Sequence, residues 1–157
     1  MPKLNVCGDI GLKIARDGTW FYEGSPIGRK PLVKLFSTVL RREEDGFFLV
    51  TPVERVPIEV EAEPFIAVAM SREGEGDSQR LFFTTNVDDE VIAGPQHAIG
   101  FCAEPEGGYA PYIEVRDGLR ARLARAVYYE LADMVVRGDD GYGVWSGGLF
   151  FPFPIET

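Results

Sequence analysis

The sequence has few of the residues that build metal sites and disulfide frameworks. It contains one histidine, His97, and two cysteines, Cys7 and Cys102, which are far apart and form no Cys-x-x-Cys pair. A His-Glu-x-x-His zinc site and every other multi-histidine site are therefore excluded. Because nothing else in the sequence indicates secretion, we expect two reduced thiols rather than one disulfide.

Long apolar runs and the familiar phosphate-binding and nucleophile motifs are also absent. No apolar stretch approaches the roughly 18 residues that a membrane span needs, and the N-terminus has no apolar signal-peptide core. The sequence contains no Walker pattern, no Gly-x-Gly-x-x-Gly fingerprint and no Gly-x-Ser-x-Gly elbow. We therefore expect a cytoplasmic protein that does not bind membranes, and no recognised enzyme class is indicated.

Positive charge is scarce in the middle of the chain. The formal net charge is −9, and residues 61–115 hold 11 acidic but only 2 basic side chains, whereas residues 1–60 hold 9 basic and 8 acidic ones. This balance opposes attraction to the phosphates of a nucleic-acid polymer. A small anion at a local basic site, or a basic protein partner for the acidic middle, is still compatible with it.

The chain is nevertheless rich in core-forming residues. Of its 157 residues, 45% are hydrophobic and 12% aromatic, which is typical of one soluble domain or two small subdomains. Residues 12–22 alternate in polarity around Asp17-Gly18, which predicts a β-hairpin with a type I′ turn. In its second strand Trp20 and Tyr22 share one face.

Two segments have the apolar periodicity of helices. The first begins at Pro31, whose fixed φ suits a first helical turn, and its apolar stripe continues to Leu40. The second is predicted over residues 117–137, with Asp117 as N-cap and Gly138 just after the C-terminus. Short strands are expected between the helices, and a hairpin is expected to close the chain.

The order hairpin, helix, strand thus occurs twice, which predicts an α+β fold of two related subdomains. We place the boundary near residue 60. This gives an N-terminal hairpin–helix–strand subdomain over residues 1–60 and a C-terminal antiparallel-sheet subdomain over residues 61–157, which includes helix 117–137. A cleft between two such subdomains is a usual place for a ligand.

The stretch that precedes the first helix is the strongest candidate for an anion site. Gly24, Gly28 and the backbone N–H groups at the helix entrance can approach an anion closely, and the helix dipole favours negative charge there. Arg29 and Lys30 add two cations, and an arginine can grip a phosphate with two parallel hydrogen bonds.

The aromatic residues of the hairpin have two interpretations. Trp20 or Tyr22 can offer a stacking face to a nucleotide base beside the cations. The same residues also fit a structural arrangement in which Arg29 pairs with Glu54 and the aromatics cover the helix. Both interpretations stay open at the level of sequence.

Three other features are weaker candidates. Asp88-Asp89-Glu90 has the oxygen ligands of a hard-cation site, but it lies where a polar hairpin turn is expected. One of the adjacent Tyr128 and Tyr129 should face outward and could contact a partner. Four arginines near the second predicted helix are expected to be solvated or to pair with the acidic middle: Arg116, Arg120, Arg122 and Arg125.

The segment Gly-Thr-Trp-Phe-Tyr-Glu-Gly-Ser-Pro-Ile-Gly-Arg-Lys-Pro-Leu, which begins at Gly18, resembles the bacterial domain of unknown function 1285 family. Segments 47–54, 111–119 and 127–131 fit the same family pattern. The resemblance implies two related α+β subdomains, the second superficially like a pleckstrin-homology domain, and a nucleotide-like ligand bound between them in a signalling context. The resemblance also implies a set of residues that belong to the family pattern and have no assigned catalytic role: Trp20, Tyr22, Gly28, Arg29, Thr51, Pro52, Glu54 and Arg116.

Three classes of function remain. The favoured one is a non-enzymatic module that binds a small anionic or nucleotide-like ligand without a metal or cofactor. The second is a protein-interaction module that presents exposed aromatics such as Tyr128 or Trp145. The third is an enzyme of unrecognised type that uses Glu54 or His97 as an acid or base.

Overall fold

The computed structural model describes residues 5–6 and 11–154, which divide into two compact units. The first unit comprises Met1–Pro64 with Asp117–Leu119, and the second comprises Phe65–Arg116 with Arg120–Thr157. Two α-helices accompany many strands in the described residues, so the α+β prediction is confirmed. None of the helices in that part of the chain is long and apolar enough to cross a membrane.

Within the described residues, the first unit contains one helix and a mixed sheet. Its elements are β1 (Asn5–Val6), β2 (Leu12–Ile14), β3 (Trp20–Tyr22), β4 (Ser25–Pro26), α1 (Lys30–Thr38), β5 (Leu40–Glu43), β6 (Gly46–Val50) and β7 (Glu54–Val60). The sheet order is β4-β3-β2-β7-β6-β5, and β1 adds to β7 in parallel. The buried apolar side chains of this sheet include Leu12, Ile14, Trp20, Leu40, Leu49 and Ile58.

The predicted hairpin is confirmed, but its turn is not type I′. β2 and β3 pair antiparallel, with Ile14 opposite Trp20. Gly18 has a φ of 88°, whereas Asp17 is not in the left-handed region that a type I′ turn requires at both central residues. Instead, the Asp17 carboxylate accepts a hydrogen bond from the N–H of Thr19 at 3.0 Å. This local bond favours a longer turn, as expected for an aspartate at the start of a turn.

The first helix starts as predicted and is shorter than predicted. Arg29 is its N-cap, Pro31 lies in the first turn, and the helix ends at Thr38. Leu40 is fully buried in β5, opposite Leu49 of β6. An apolar stripe does not show where a helix gives way to a strand, because Leu40 serves the core equally well from either element.

In the part of the chain that the structure describes, the second unit contains one α-helix and two sheets. Its elements are β8 (Phe65–Glu73), a 3₁₀ turn (Gly76–Ser78), β9 (Arg80–Thr85), β10 (Glu90–Ile92), β11 (Ile99–Ala103), β12 (Tyr109–Arg116), β13 (Leu119–Leu123), α2 (Arg125–Ala132), β14 (Val136–Gly138), β15 (Gly141–Ser146) and β16 (Leu149–Pro152). One sheet has the order β10-β9-β8-β13-β12-β11, and the other has the order β14-β15-β16. The closing hairpin of the sequence prediction is the pair β15–β16.

The prediction of a helix over residues 117–137 is wrong over most of its length. Asp117 and Gly118 have φ values of 46° and 81°, so they form a turn and not an N-cap. β13 follows the turn, and only Arg125–Ala132 is helical. Gly138 lies in β14 rather than after a helix. A spacing of four residues is a multiple of two, so the buried Leu119 and Leu123 fit a strand as well as a helix.

The two units share one strand order. We number six strands of each sheet along the chain, starting from β2 in the first unit and from β8 in the second. Both sheets then have the order 3-2-1-6-5-4. The first and sixth strands are parallel in both cases, as β2 with β7 and as β8 with β13. The helix position differs, because α1 precedes the fourth strand whereas α2 follows the sixth. The relation between the units therefore lies in strand topology.

Candidate functional site

The segment from β3 to α1 carries six of the candidate residues in close succession, beginning with Trp20 in β3. Tyr22 ends β3 with 47% of its surface exposed. A two-residue turn that includes Gly24 leads into β4. Gly28 and Arg29 then lead to Lys30, the first residue of α1. The sequence-predicted aromatic and the cations thus lie on one short stretch of the first unit.

Trp20 belongs to the core of the first unit. Only 1% of its surface is exposed, and its ring stacks on Phe36 of α1, with centroids 6.3 Å apart and planes inclined by 27°. Its indole Nε1 is buried and has no hydrogen-bond partner in the described residues. The stacking face that the sequence assigned to Trp20 or Tyr22 can therefore be supplied only by Tyr22.

Arg29 is an exposed cation at the N-cap of α1. Its side chain makes no capping hydrogen bond, and the first turn of the helix contains no acidic residue. Within the described part of the chain its guanidinium has no ion-pair or hydrogen-bond partner, so the alternative pairing with Glu54 is not formed. A cation at the positive end of a helix dipole is unfavourable unless an anion accompanies it.

Gly28, beside Arg29, does not fill a sterically demanding position. A Cβ atom built at Gly28 would meet no atom within 4 Å, and its φ lies outside the left-handed region. The fold of the first unit therefore does not require glycine at this position. The space at Gly28 is open, as the close approach of a ligand to the backbone needs.

Thr51 and Pro52 lie in the turn between β6 and β7, and Glu54 is the first residue of β7. The N–H of Thr51 donates to the carbonyl of Glu54 at 2.9 Å, and the Thr51 hydroxyl accepts the N–H of Glu54 at 3.2 Å. Pro52 is exposed in this turn. These bonds give Thr51 a structural role in a tight connection, which the family resemblance alone did not reveal.

Arg116 lies in the second unit, at the end of β12. Its guanidinium is 3.9 Å from a carboxylate oxygen of Asp89 and 5.6 Å from the ring centroid of Phe65. Asp89 belongs to the acidic cluster that the sequence predicted as a turn, and the turn is confirmed, with φ of 68° at Asp88. Pairing with the acidic middle of the chain was one of the two expectations for this arginine.

The remaining chemically reactive side chains are engaged in local contacts. His97 Nδ1 is 3.0 Å from the carbonyl oxygen of Glu114. Arg120 donates to the Cys102 sulfur at 3.4 Å. Cys7 lies outside the described residues, so the expectation that its thiol is reduced rests on the sequence alone. Among the described residues, no group of three or more His, Cys, Asp or Glu side chains could hold a metal ion.

A concavity of about 240 Å³ lies on the first hairpin, lined by Gly11, Lys13, Phe21 and Gly24. Lys13 Nζ is 2.9 Å from Glu61 and 3.7 Å from Glu59. The hydrogen bond with Glu61 raises the pKa of Lys13 and lowers the pKa of the Glu61 carboxyl. The cation that lines this concavity is thus already neutralised by the protein, in contrast to Arg29.

We expect the Glu61 ion pair to contribute to the acid sensitivity of the first unit. The pKa of Glu61 is below its ordinary value of 4.5 in the folded state, mainly because Lys13 donates to it. Its contribution to stability is therefore complete above the unfolded pKa and is lost as pH falls through the folded one. As the pH is lowered from about 5 to about 3, the urea concentration at the unfolding midpoint should fall less in Glu61→Gln than in the parent protein. Equal declines in Glu61→Gln and in the control Glu59→Gln would contradict this expectation.

A second concave surface, in the second unit, was not found by sequence reasoning. It is a groove of about 310 Å³ whose lining includes Arg72, Gln79, Asp133 and Trp145. These residues come from three separate parts of the chain, and no motif connects them. A polar glycine-rich loop over residues 72–78 and an aromatic residue in a glycine-rich hairpin were the only available signals.

Comparisons with known proteins give a consistent family match. The model described as "Domain of unknown function (DUF1285), N-terminal domain" matches residues 2–63, and the model described as "Protein of unknown function (DUF1285), C-terminal domain" matches residues 64–153. These matches confirm the resemblance noted in the sequence. A search of curated proteins finds no match.

Two crystal structures of DUF1285 family proteins are similar to this chain. The protein from Silicibacter pomeroyi DSS-3 has 48% identity and a TM-score of 0.90, covering 96% of this chain and 82% of that one. The protein from Shewanella baltica OS155 has 26% identity and a TM-score of 0.62, covering 78% of this chain and 91% of that one. The architecture described above is therefore shared with experimentally determined relatives.

Proposed function

The chain belongs to the DUF1285 family, and we propose that it is a non-enzymatic module that binds a small anionic, nucleotide-like ligand in signalling or regulation. The observation that carries this proposal is Arg29, an exposed cation at an uncapped helix N-terminus without a partner in the described residues.

The chemistry around Arg29 suits a phosphate. A guanidinium can donate two parallel hydrogen bonds to phosphate oxygens, and the dipole of α1 adds favourable potential at the same end. The open space at Gly28 allows an oxygen to approach the backbone. An anion would also relieve the unfavourable interaction between the Arg29 charge and the helix dipole.

Tyr22 supplies the group that favours a nucleotide over a simple phosphate. It is half exposed at the end of β3, in the segment that leads to Arg29. An aromatic ring in that position can stack on a base, as side chains do in single-strand recognition, where stacking contributes about 1–3 kcal/mol per base. The proposal therefore assigns the phosphate to Arg29 and the base to Tyr22.

We expect a selective thermal shift when the protein is tested against mono-, di- and cyclic nucleotides. A ligand at 100 times its dissociation constant stabilises the folded state by about 2.7 kcal/mol. Arg29→Ala should abolish that shift and leave the unliganded protein as stable as the parent, or more stable by a few tenths of a kcal/mol, because a cation is removed from the helix N-terminus. Differential scanning fluorimetry measures both quantities.

Two further variants separate a specific site from a general loss of charge. Arg137→Ala removes an exposed arginine of the second unit and should keep the full nucleotide shift. Gly28→Ala should fold normally, because its Cβ meets no atom, yet it should weaken binding by narrowing the approach. A nucleotide shift that survives in Arg29→Ala, or no shift with any nucleotide, would overturn the proposal.

A protein-interaction role is the second candidate, and one observation favours it. Tyr129 of α2 is 61% exposed, whereas Tyr128 packs against Phe101 and Phe153, with ring centroids 6.4 Å from both. The outward-facing member of the predicted tyrosine pair is therefore Tyr129. If the nucleotide panel gives no shift, this exposed ring becomes the best-supported feature for partner binding.

A further inference from the structure

The groove of the second unit combines an apolar wall with groups of both charges. It lies among the loop that holds the 3₁₀ turn, the connection from α2 to β14, and Trp145 of β15. Its volume is about 310 Å³, which is at the lower end of the range for small-molecule sites. It shares no residue with the segment around Arg29, so it would be a separate site.

Gln79 gives this groove a buried polar group with unused bonding capacity. Only 5% of its surface is exposed, and its Nε2 donates to the carbonyl of Trp145 at 2.9 Å, which orients the amide. No group in the described residues donates a hydrogen bond to its Oε1, and this oxygen is not fully enclosed by the protein. Because Gln79 lines the groove, this oxygen is an acceptor available to a ligand.

Charged side chains of opposite sign line the same groove without neutralising one another. Arg72, Asp77 and Asp133 are all exposed, and within the described part of the chain none of their side chains forms an ion pair. One cation and two carboxylates therefore face a common space in an unpaired state. A ligand that carries both an ammonium and a carboxylate would complement all three.

The apolar part of the lining consists of Met134, Val135, Val136 and Trp145. The Trp145 ring is half-buried and is held edge-on by Phe150, with centroids 5.2 Å apart. A fixed indole beside a methionine is a favourable surface for an apolar or aromatic side chain. The groove thus offers apolar contacts in addition to its charged groups.

We infer that this groove binds a free α-amino acid with an apolar or aromatic side chain. The ammonium group donates to Asp77, Asp133 and the Gln79 oxygen, the carboxylate accepts from Arg72, and the side chain packs on Trp145. A nucleotide is disfavoured here, because carboxylates outnumber cations in the groove and residues 61–115 carry 11 acidic against 2 basic side chains. A zwitterion with no net charge does not meet that penalty.

L-Phenylalanine is the probe that tests this inference, with two single-charge analogues as controls. In a titration followed by amide NMR, L-phenylalanine should give saturable shifts for residues of the groove. 2-Phenylethylamine lacks the carboxylate and 3-phenylpropanoate lacks the ammonium, so each should bind about tenfold more weakly, as expected for one lost charge-assisted hydrogen bond. Equal binding of all three compounds, or no saturable binding of L-phenylalanine, would overturn the inference.

Near-isosteric variants test the orientation of the ligand. Arg72→Gln should weaken L-phenylalanine about tenfold and leave 2-phenylethylamine unchanged, whereas Asp133→Asn should weaken the amine and spare 3-phenylpropanoate. Arg137→Gln and Asp140→Asn, which change exposed charges outside the groove lining, should have no effect. Arg29→Ala should also retain L-phenylalanine binding, so failure of one site does not decide the other. If each of Arg72→Gln and Asp133→Asn weakened both single-charge analogues equally, the charges would not orient the ligand, which would overturn the inference.

Discussion

Replacing Trp20 by alanine should destabilise the first unit by about 3–5 kcal/mol, the usual cost of truncating a buried large aromatic. The indole is almost completely buried and stacks on Phe36, so its removal leaves a cavity between β3 and α1. The same strand is paired with β2, where Trp20 faces Ile14. Urea unfolding followed by far-UV circular dichroism measures the loss, and the remaining Trp145 reports on the second unit by fluorescence.

Trp20→Phe is the informative companion to this variant. It keeps an aromatic ring against Phe36 but removes an N–H that is buried without a partner in the described residues. An unsatisfied buried donor costs about 1–3 kcal/mol, so its removal should offset part of the lost packing. We therefore expect Trp20→Phe to be much less destabilising than Trp20→Ala. Equal losses in the two variants would contradict this expectation.

The sequence predicted those elements whose local chemistry and periodicity agree. The first hairpin has alternation and a turn signal together, and α1 has a proline in its first turn and an apolar stripe. The second helix was overextended because residues 119–131 repeat an apolar residue every four positions, a spacing that fits both a strand and a helix. The Asp117-Gly118 turn signal was the better guide, since both residues adopt positive φ. The shared strand order could not be predicted, because it depends on long-range pairing between β2 and β7 and between β8 and β13.

The candidate site was predictable as a stretch of sequence but not in the roles of its members. Strand alternation placed Trp20 and Tyr22 on one face, yet only the structure shows that Trp20 is enclosed and Tyr22 is not. Similarly, sequence could not distinguish a paired Arg29 from an unpaired one, since the position of Glu54 depends on the β6–β7 turn. The groove of the second unit was out of reach for the same reason, because its lining is assembled from distant segments.

Ser146 should be among the most sensitive polar residues of the second unit. Its side chain is fully buried, its hydroxyl donates to the carbonyl of Ala93 at 2.8 Å, and it accepts the N–H of Leu81 at 2.9 Å. One hydroxyl therefore ties β15 to β9 and to the residue that follows β10. Ser146→Ala would leave a buried donor and a buried acceptor without this partner, and each such group costs about 1–3 kcal/mol.

We therefore expect Ser146→Ala to lower the free energy of unfolding by about 2–4 kcal/mol, with increased hydrogen exchange at the Leu81 amide. Ser78→Ala is the matched control, because Ser78 is exposed and, among the described residues, its hydroxyl bonds only to the Glu75 carbonyl in its own loop. That variant should change stability by less than about 0.5 kcal/mol, as surface substitutions usually do. If Ser146→Ala were equally mild and the Leu81 amide stayed protected, other groups would have to satisfy both backbone atoms. The buried hydroxyl would then not be the link that joins β15 to β9.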